Sequence, residues 1–132
     1  MKHDSHFVAL LTAPVEHGLV LVEAPNSSYR HDDWDPRREL VSAGPDSLYL
    51  SVRPSVDGPV EIGVMRKVNE AIDTDGLIYY DGFLESPRGV FIIHDADDLF
   101  TISVMGKRGR NRLKVIVDQE GLVSKMLIAF ME

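Results

Sequence analysis

The sequence predicts an all-β protein, an antiparallel β-sandwich of about eight strands with one or two short helices. Three observations carry this. Apolar and polar residues alternate with period two along much of the chain. Gly, Pro, Asn and Asp interrupt that alternation at the spacing of sheet turns. Windows with helical spacing are few. The chain has 132 residues, of which 44% are hydrophobic and 27% charged. That suits one core, so residues 1–132 are expected to form a single β-sandwich domain.

Two strands are expected near the N-terminus, over residues 7–11 and 18–23. Asp35-Pro36 offers an N-cap followed by proline at the first helical position, with Glu39 near the third, so a short helical turn is expected from Asp35 to Val41. Residues 47–53 alternate most cleanly, with Leu48, Leu50 and Val52 on one face and Tyr49, Ser51 and Arg53 on the other. Pro54 stops that strand. Val56-Asp57-Gly58-Pro59 reads as a turn. Val60, Ile62 and Val64 then point inward from a strand that makes a hairpin with the previous one. Residues 65–72 have room for a second helical turn. Residues 76–84 are apolar and aromatic on both faces, which predicts a central strand covered on both sides. Strands are expected at 90–94, at 99–105 with Phe100, Ile102 and Val104 on one face, and through Leu113, Val115 and Val117. The tail, residues 121–132, fits either helix or strand. Its apolar side chains need burial in the chain's own core, or in a homodimer formed through residues 122–131.

The 14 basic and 21 acidic residues give a net charge of −7. They are unevenly spread. Residues 1–106 hold 8 basic and 18 acidic side chains, whereas residues 107–114 hold five basic and none acidic. An acidic body repels nucleic acid, and the one basic loop lacks interleaved aromatics, so a nucleic-acid partner is not expected. Without cysteine there is neither a disulfide framework nor a thiolate metal site. No apolar run reaches membrane-spanning length, and Asp4 and Pro14 spoil a signal-peptide reading of the N-terminus. A soluble cytoplasmic protein is expected.

Two acidic clusters stand out. In His31-Asp32-Asp33-Trp34-Asp35-Pro36 the carboxylates and the imidazole are of metal-ligand type, but their spacing matches no ligand pattern. The alternatives are a solvated loop and a protein-binding edge anchored by Trp34. His94-Asp95-Ala96-Asp97-Asp98 lies between two expected strands, where Asp favours a turn. Asp73-Thr74-Asp75-Gly76 fails as a calcium loop, because Ala71 and Gly82 fall where carboxylates are required. Of the five histidines, His3 and His6 are three apart at the terminus, and none belongs to a metal-ligand motif. No nucleophile elbow, phosphate loop or dinucleotide fingerprint is present. No catalytic residue, metal or cofactor is assigned, and an enzyme is the less favoured class.

Trp34-Asp35, a short turn, Gly44, a strand at 47–52, a hairpin and the strand opening Gly76-Leu77-Ile78 occur in an order that resembles the competence protein J family, small cytoplasmic inhibitors of a nuclease of DNA uptake, and small acidic inhibitor proteins more broadly. The resemblance spans about residues 17–117 and rests on strand order. The basic loop 107–114 and the tail depart from it, and it transfers no functional residue. It implies a β fold and a non-catalytic inhibitor. On that reading Asp32, Asp33, Trp34, Asp35, Asp95, Asp97 and Asp98 meet a basic protein, with the carboxylates mimicking a polyanion and Trp34 acting as anchor. The alternative is a β-sandwich that binds a small molecule or a metal ion through the acidic loops.

Overall fold

The computed structural model describes residues 6–68 and 76–131. Among these residues ten strands form two five-stranded sheets around one core. In chain order they are β1 (His6–Ala13), β2 (Leu19–Glu23), β3 (Val41–Ala43), β4 (Ser47–Ser51), β5 (Val60–Val68), β6 (Leu77–Ser86), β7 (Val90–Asp95), β8 (Thr101–Met105), β9 (Gly109–Val117) and β10 (Lys125–Met131). The first sheet has the order β1-β5-β10-β9-β6 and the second β3-β4-β2-β7-β8. Every pairing is antiparallel except β5 with β10.

Alternation explains the core. Val60, Ile62 and Val64 of β5, Leu113 and Val115 of β9, and Ile128 of β10 are fully buried, facing Val20 and Val22 of β2, Leu48 and Leu50 of β4, and Phe91 and Ile93 of β7. At the centre the rings of Phe91 and Phe130 meet at 5.3 Å, each from a different sheet. β-branched residues dominate these inner faces because their stiff side chains pack well on a pleated surface.

The structure corrects several expectations. The described residues hold ten strands rather than about eight, the added ones being β3 and β10. The helical turn expected over 35–41 is a single turn, closed by Arg38 N–H and Glu39 N–H to the Asp35 carbonyl at 2.9 and 3.0 Å. It stops because Val41 enters β3 beside Leu50. The one helical element among the described residues is a three-residue 3-10 turn, Ser55–Asp57, inside the segment read as a turn. β4 and β5 are not a hairpin. The proline-flanked connection between them carries the chain from the second sheet to the first, where Arg53 N–H reaches the Val123 carbonyl at 3.2 Å. β6 is an edge strand, not a central one, and Leu77 and Ile78 are exposed. Residues 65–68 extend β5, and the remainder of the second expected helical turn, with Asp73-Thr74-Asp75, lies outside the described residues. The tail is a strand in the middle of the first sheet. Val123, Met126, Ile128, Ala129 and Phe130 are buried within the chain, while Leu122 is exposed and Leu127 and Met131 are partly so. Among the described residues no helix is long and apolar enough to cross a membrane.

Replacing Ile128 by Ala should cost about 2–5 kcal/mol of unfolding free energy, as is usual for a fully buried aliphatic side chain in a packed core. Urea unfolding measures this. A loss below about 1 kcal/mol would show that the tail is not part of the core.

Candidate functional site

The outer face of the second sheet gathers the polar chemistry. Its register aligns Ser42, Tyr49, Leu21, His94 and Thr101 in one row across five strands, and Ser47, Glu23, Ile92 and Ser103 in the next. The loop between β2 and β3 folds back over this face. His31 from that loop stacks on Tyr49 with ring centroids 3.6 Å apart, and Tyr29 meets its edge at 4.8 Å. Tyr29 lies against the bare α-carbon of Gly44, where a Cβ would come within 2.5 Å of the ring. Trp34 packs edge-on to Tyr49 at 5.5 Å and donates its indole N–H to the Glu39 carbonyl at 2.7 Å.

A continuous hydrogen-bond chain runs across the sheet. His31 Nδ1 lies 2.8 Å from Ser42 Oγ, and His31 Nε2 lies 2.8 Å from Ser47 Oγ. Ser47, fully buried, donates to Glu23 Oε1 at 2.8 Å. Glu23 Oε2 faces His94 Nε2 at 2.9 Å, and His94 Nδ1 faces Asp98 Oδ1 at 2.7 Å. The proton positions follow from valence. Ser47 has one hydroxyl proton and gives it to Glu23, so it accepts from His31 Nε2–H. At Nδ1 burial, which lowers the His31 pKa, favours the neutral imidazole, whose bare nitrogen accepts from the Ser42 hydroxyl. Both ring nitrogens of His94 face carboxylate oxygens, an arrangement satisfied in full only by the imidazolium.

The pKa directions agree. Burial lowers the His31 pKa, against the opposing pull of the Glu23 and Asp46 carboxylates. Burial also disfavours charge on His94, but its hydrogen bonds and attraction to Glu23 and Asp98 outweigh that and raise its pKa above the usual 6.5. For His31 the stabilising contribution is complete above the ordinary value and fades as pH falls through the lowered one. For His94 it is complete below 6.5 and is lost as pH rises through the raised value.

The chain joins the loops that carry both acidic clusters. Asp32, Asp33 and Asp35 stand on the loop that His31 pins, and Asp97 and Asp98 on the turn after β7. Asp32 and Asp33 are exposed and Asp35 is partly so. Arg30 turns back on Asp32 at 3.3 Å and Arg37 on Asp35 at 3.1 Å, while Asp33 makes no ion pair among the described residues. Hydrogen bonds from the Arg37 side chain and backbone lower the Asp35 pKa. Asp97 pairs with His17 at 3.3 Å. Asp95 differs from its neighbours. It is 1% exposed, and its Oδ1 accepts the Leu99 and Phe100 N–H groups at 2.7 and 3.2 Å. It builds the turn and cannot itself meet a partner's surface.

Among the described residues no group of three or more His, Asp or Glu is arranged to hold a metal ion. Sequence reasoning missed Glu23, Ser42, Ser47, Tyr49 and the role of His94. The polar outward positions of residues 47–51 were visible, but the partners that give them meaning lie 16 to 71 positions away. The basic segment 107–114 is not a loop for most of its length, since it runs in strand β9 from Gly109 onward. Arg112 and Lys114 pair with Asp81 at 3.0 and 4.0 Å, and Arg110 lies 4.2 Å over the Phe83 ring.

No family model matches the chain, and no curated protein sequence matches it. Solved structures do. ComJ of Bacillus subtilis, described as an inhibitor of the DNA degrading activity of NucA, is similar with a TM-score of 0.72 over 98% of this chain and 99% of that one, at 9% identity. Crocagin biosynthetic gene J is similar with a TM-score of 0.65 over 98% of both chains, at 11% identity. At these identities the likeness establishes the fold, in agreement with the resemblance read from strand order.

In NMR titrations His94 should ionise above 6.5 and His31 below it. Asp98→Asn should lower the His94 value and weaken the stability advantage at acidic pH. An unchanged His94 titration in that variant would break the assignment of the Asp98 contact.

Proposed function

We propose that the chain is a non-catalytic protein-binding module, an inhibitor that docks a basic partner such as a nuclease on the outer face of its second sheet. The observation that carries this is the hydrogen-bond chain from Ser42 to Asp98, which ties two separate acidic loops to one sheet face. Such a chain pre-organises Asp32, Asp33, Trp34, Asp35, Asp97 and Asp98 and lowers the ordering cost of association. The pairs on Asp32 and Asp35 are surface pairs, weak enough to be exchanged for a partner's cations. The acidic body, at −7, steers a basic protein toward contact. Trp34, Tyr29 and Tyr49 supply the aromatic area that anchors interfaces. The fold adds support, because ComJ, which shares it, inhibits a DNA-degrading protein. On this reading the protein acts in the cytoplasm and uses no cofactor.

The test begins with immobilised protein, incubated in its native cell extract at low salt and washed with a salt step. Proteins released by the step are assayed for DNA degradation with and without the free chain. Wild type should suppress the degradation. A variant carrying Asp32→Asn, Asp33→Asn and Asp35→Asn should bind at least about tenfold more weakly at low salt, with the gap closing as salt rises. Full inhibition by the triple variant removes this loop from the site. Absence of any salt-released DNA-degrading partner removes the nuclease.

A further inference from the structure

The outer face of the first sheet is the opposite of the acidic one. Its register aligns Leu10, Gly63, Leu127, Ile116 and Ile78 in a single row across all five strands. No residue in that row is charged or polar. Leu10 and Ile78, at its two ends, are 68% and 62% exposed, and Phe7 beside Leu10 is 63% exposed. Gly63 is the low point. A Cβ there would come 3.2 Å from the Phe7 ring, so the missing side chain lets Phe7, Leu10 and Leu127 close around a groove of about 510 Å³.

Charge decides what can cover this stripe. Glu61, Asp118 and Lys125 flank it on one side, and Asp81, Arg112 and Lys114 form an ion-paired group on the other. Among the described residues these six flanking groups, three carboxylates and three cations, sum to no net charge, on a molecule of net charge −7. A basic partner gains no attraction here, and a second copy, which the acidic body would repel elsewhere, meets no net repulsion. A rim bearing both signs is also self-complementary across a two-fold axis, as an isologous contact requires. An apolar centre inside a polar rim is the anatomy of a protein interface, and while Gly63 and Ile116 in the middle of the row are buried, Phe7, Leu10 and Ile78 leave large apolar side chains open at its two ends. The edge strand β1 adds to this. Among the described residues no strand pairs with its outer side, and it has no charged or proline residue from Phe7 to Ala13, so the edge lacks the usual blunting apart from one bulge between Phe7 and Ala9.

We propose that this chain forms a two-fold homodimer in which the apolar stripe of the first sheet packs on the same stripe of a second copy, with Phe7 and Leu10 of each at the partner's groove. The dimer leaves the acidic faces of both second sheets free, so it does not compete with the proposed docking site. The tail takes part through Leu127 in the stripe and Lys125 in the rim, while Met126 and Ile128 beside Leu127 are buried within the chain.

Light scattering coupled to size exclusion tests this across micromolar to submillimolar concentration. Wild type should run at twice the 14.8 kDa chain mass and hold that mass in high salt, since the contact is apolar and neutral. Leu10→Glu and Ile78→Glu, at exposed positions where the fold tolerates a charge, should each shift the mass toward 14.8 kDa with an unchanged circular dichroism spectrum. The Asp32, Asp33 and Asp35 triple variant should stay dimeric, which separates this surface from the acidic one. A wild type that remains monomeric throughout overturns the proposal and leaves the stripe to another protein's strand or an apolar ligand. A dimer that survives both glutamate substitutions overturns it as well.

Discussion

The first sheet exists because the last strand of the chain closes it. β10 lies between β5 and β9, and no other pairing connects the β1–β5 pair to the β6–β9 pair. Two-stranded ribbons are marginal in water, and only a wider sheet with one apolar face persists. The inner side chains of β10 supply the apolar face where the two pairs meet: Met126, Ile128 and Phe130. Its parallel pairing with β5, from Lys125↔Glu61 to Met131↔Val68, closes the sheet late in the sequence. The contact is long-range and costs loop closure before it contributes any stability.

Once the core is closed, the two outer faces are free to differ, because alternation separates inner from outer positions on every strand. The second sheet places Tyr49, Glu23 and His94 outward, and the first places Leu10, Leu127 and Ile78 outward. A polar face can be ordered only if its groups find partners. Here the partners come from one loop and one turn, which the chain of hydrogen bonds fastens to the sheet. An apolar outer face needs no such network. It needs cover, and the neutral rim around it determines which surface can supply that cover.

The sequence was most legible where the outer face is polar. The 47–53 and 60–66 segments show their inward sets because Tyr49, Ser51 and Glu61 break the apolar run. It was least legible on the first sheet. Residues 76–84 read as a central strand because Leu77, Tyr79 and Phe83 on one face and Ile78, Tyr80 and Leu84 on the other are all apolar or aromatic, yet β6 is an edge. The tail was ambiguous because Leu127, Ile128, Ala129 and Phe130 leave no polar position to set a period. Both misreadings have one cause, the outward apolar stripe that contains Ile78 and Leu127. β3 was lost for a different reason: three residues after an N-cap and proline are too few to announce a strand against a helical start.

The acidic site shows the same division between what a residue type suggests and what its position does. Asp95, Asp97 and Asp98 are equivalent in the sequence, and they separate in space by strand parity. Asp95 is the last residue of β7 and points inward with Phe91 and Ile93, so its Oδ1 is taken up by the backbone of the turn while its Oδ2 is buried without a hydrogen-bond partner. That turn, with Asp98 in the left-handed region at φ 55°, lifts Asp97 and Asp98 clear of the sheet. His94, one residue earlier and outward, then holds Asp98 from below. A buried carboxylate thus shapes the turn, an outward histidine ties it to Glu23, and the two remaining carboxylates are presented to solvent. The same logic runs on the other loop, where His31 is held by two serines and a stacked tyrosine while Asp32 and Asp33 face outward. In both places a histidine anchors and carboxylates display, and Glu23 joins the two anchors through Ser47.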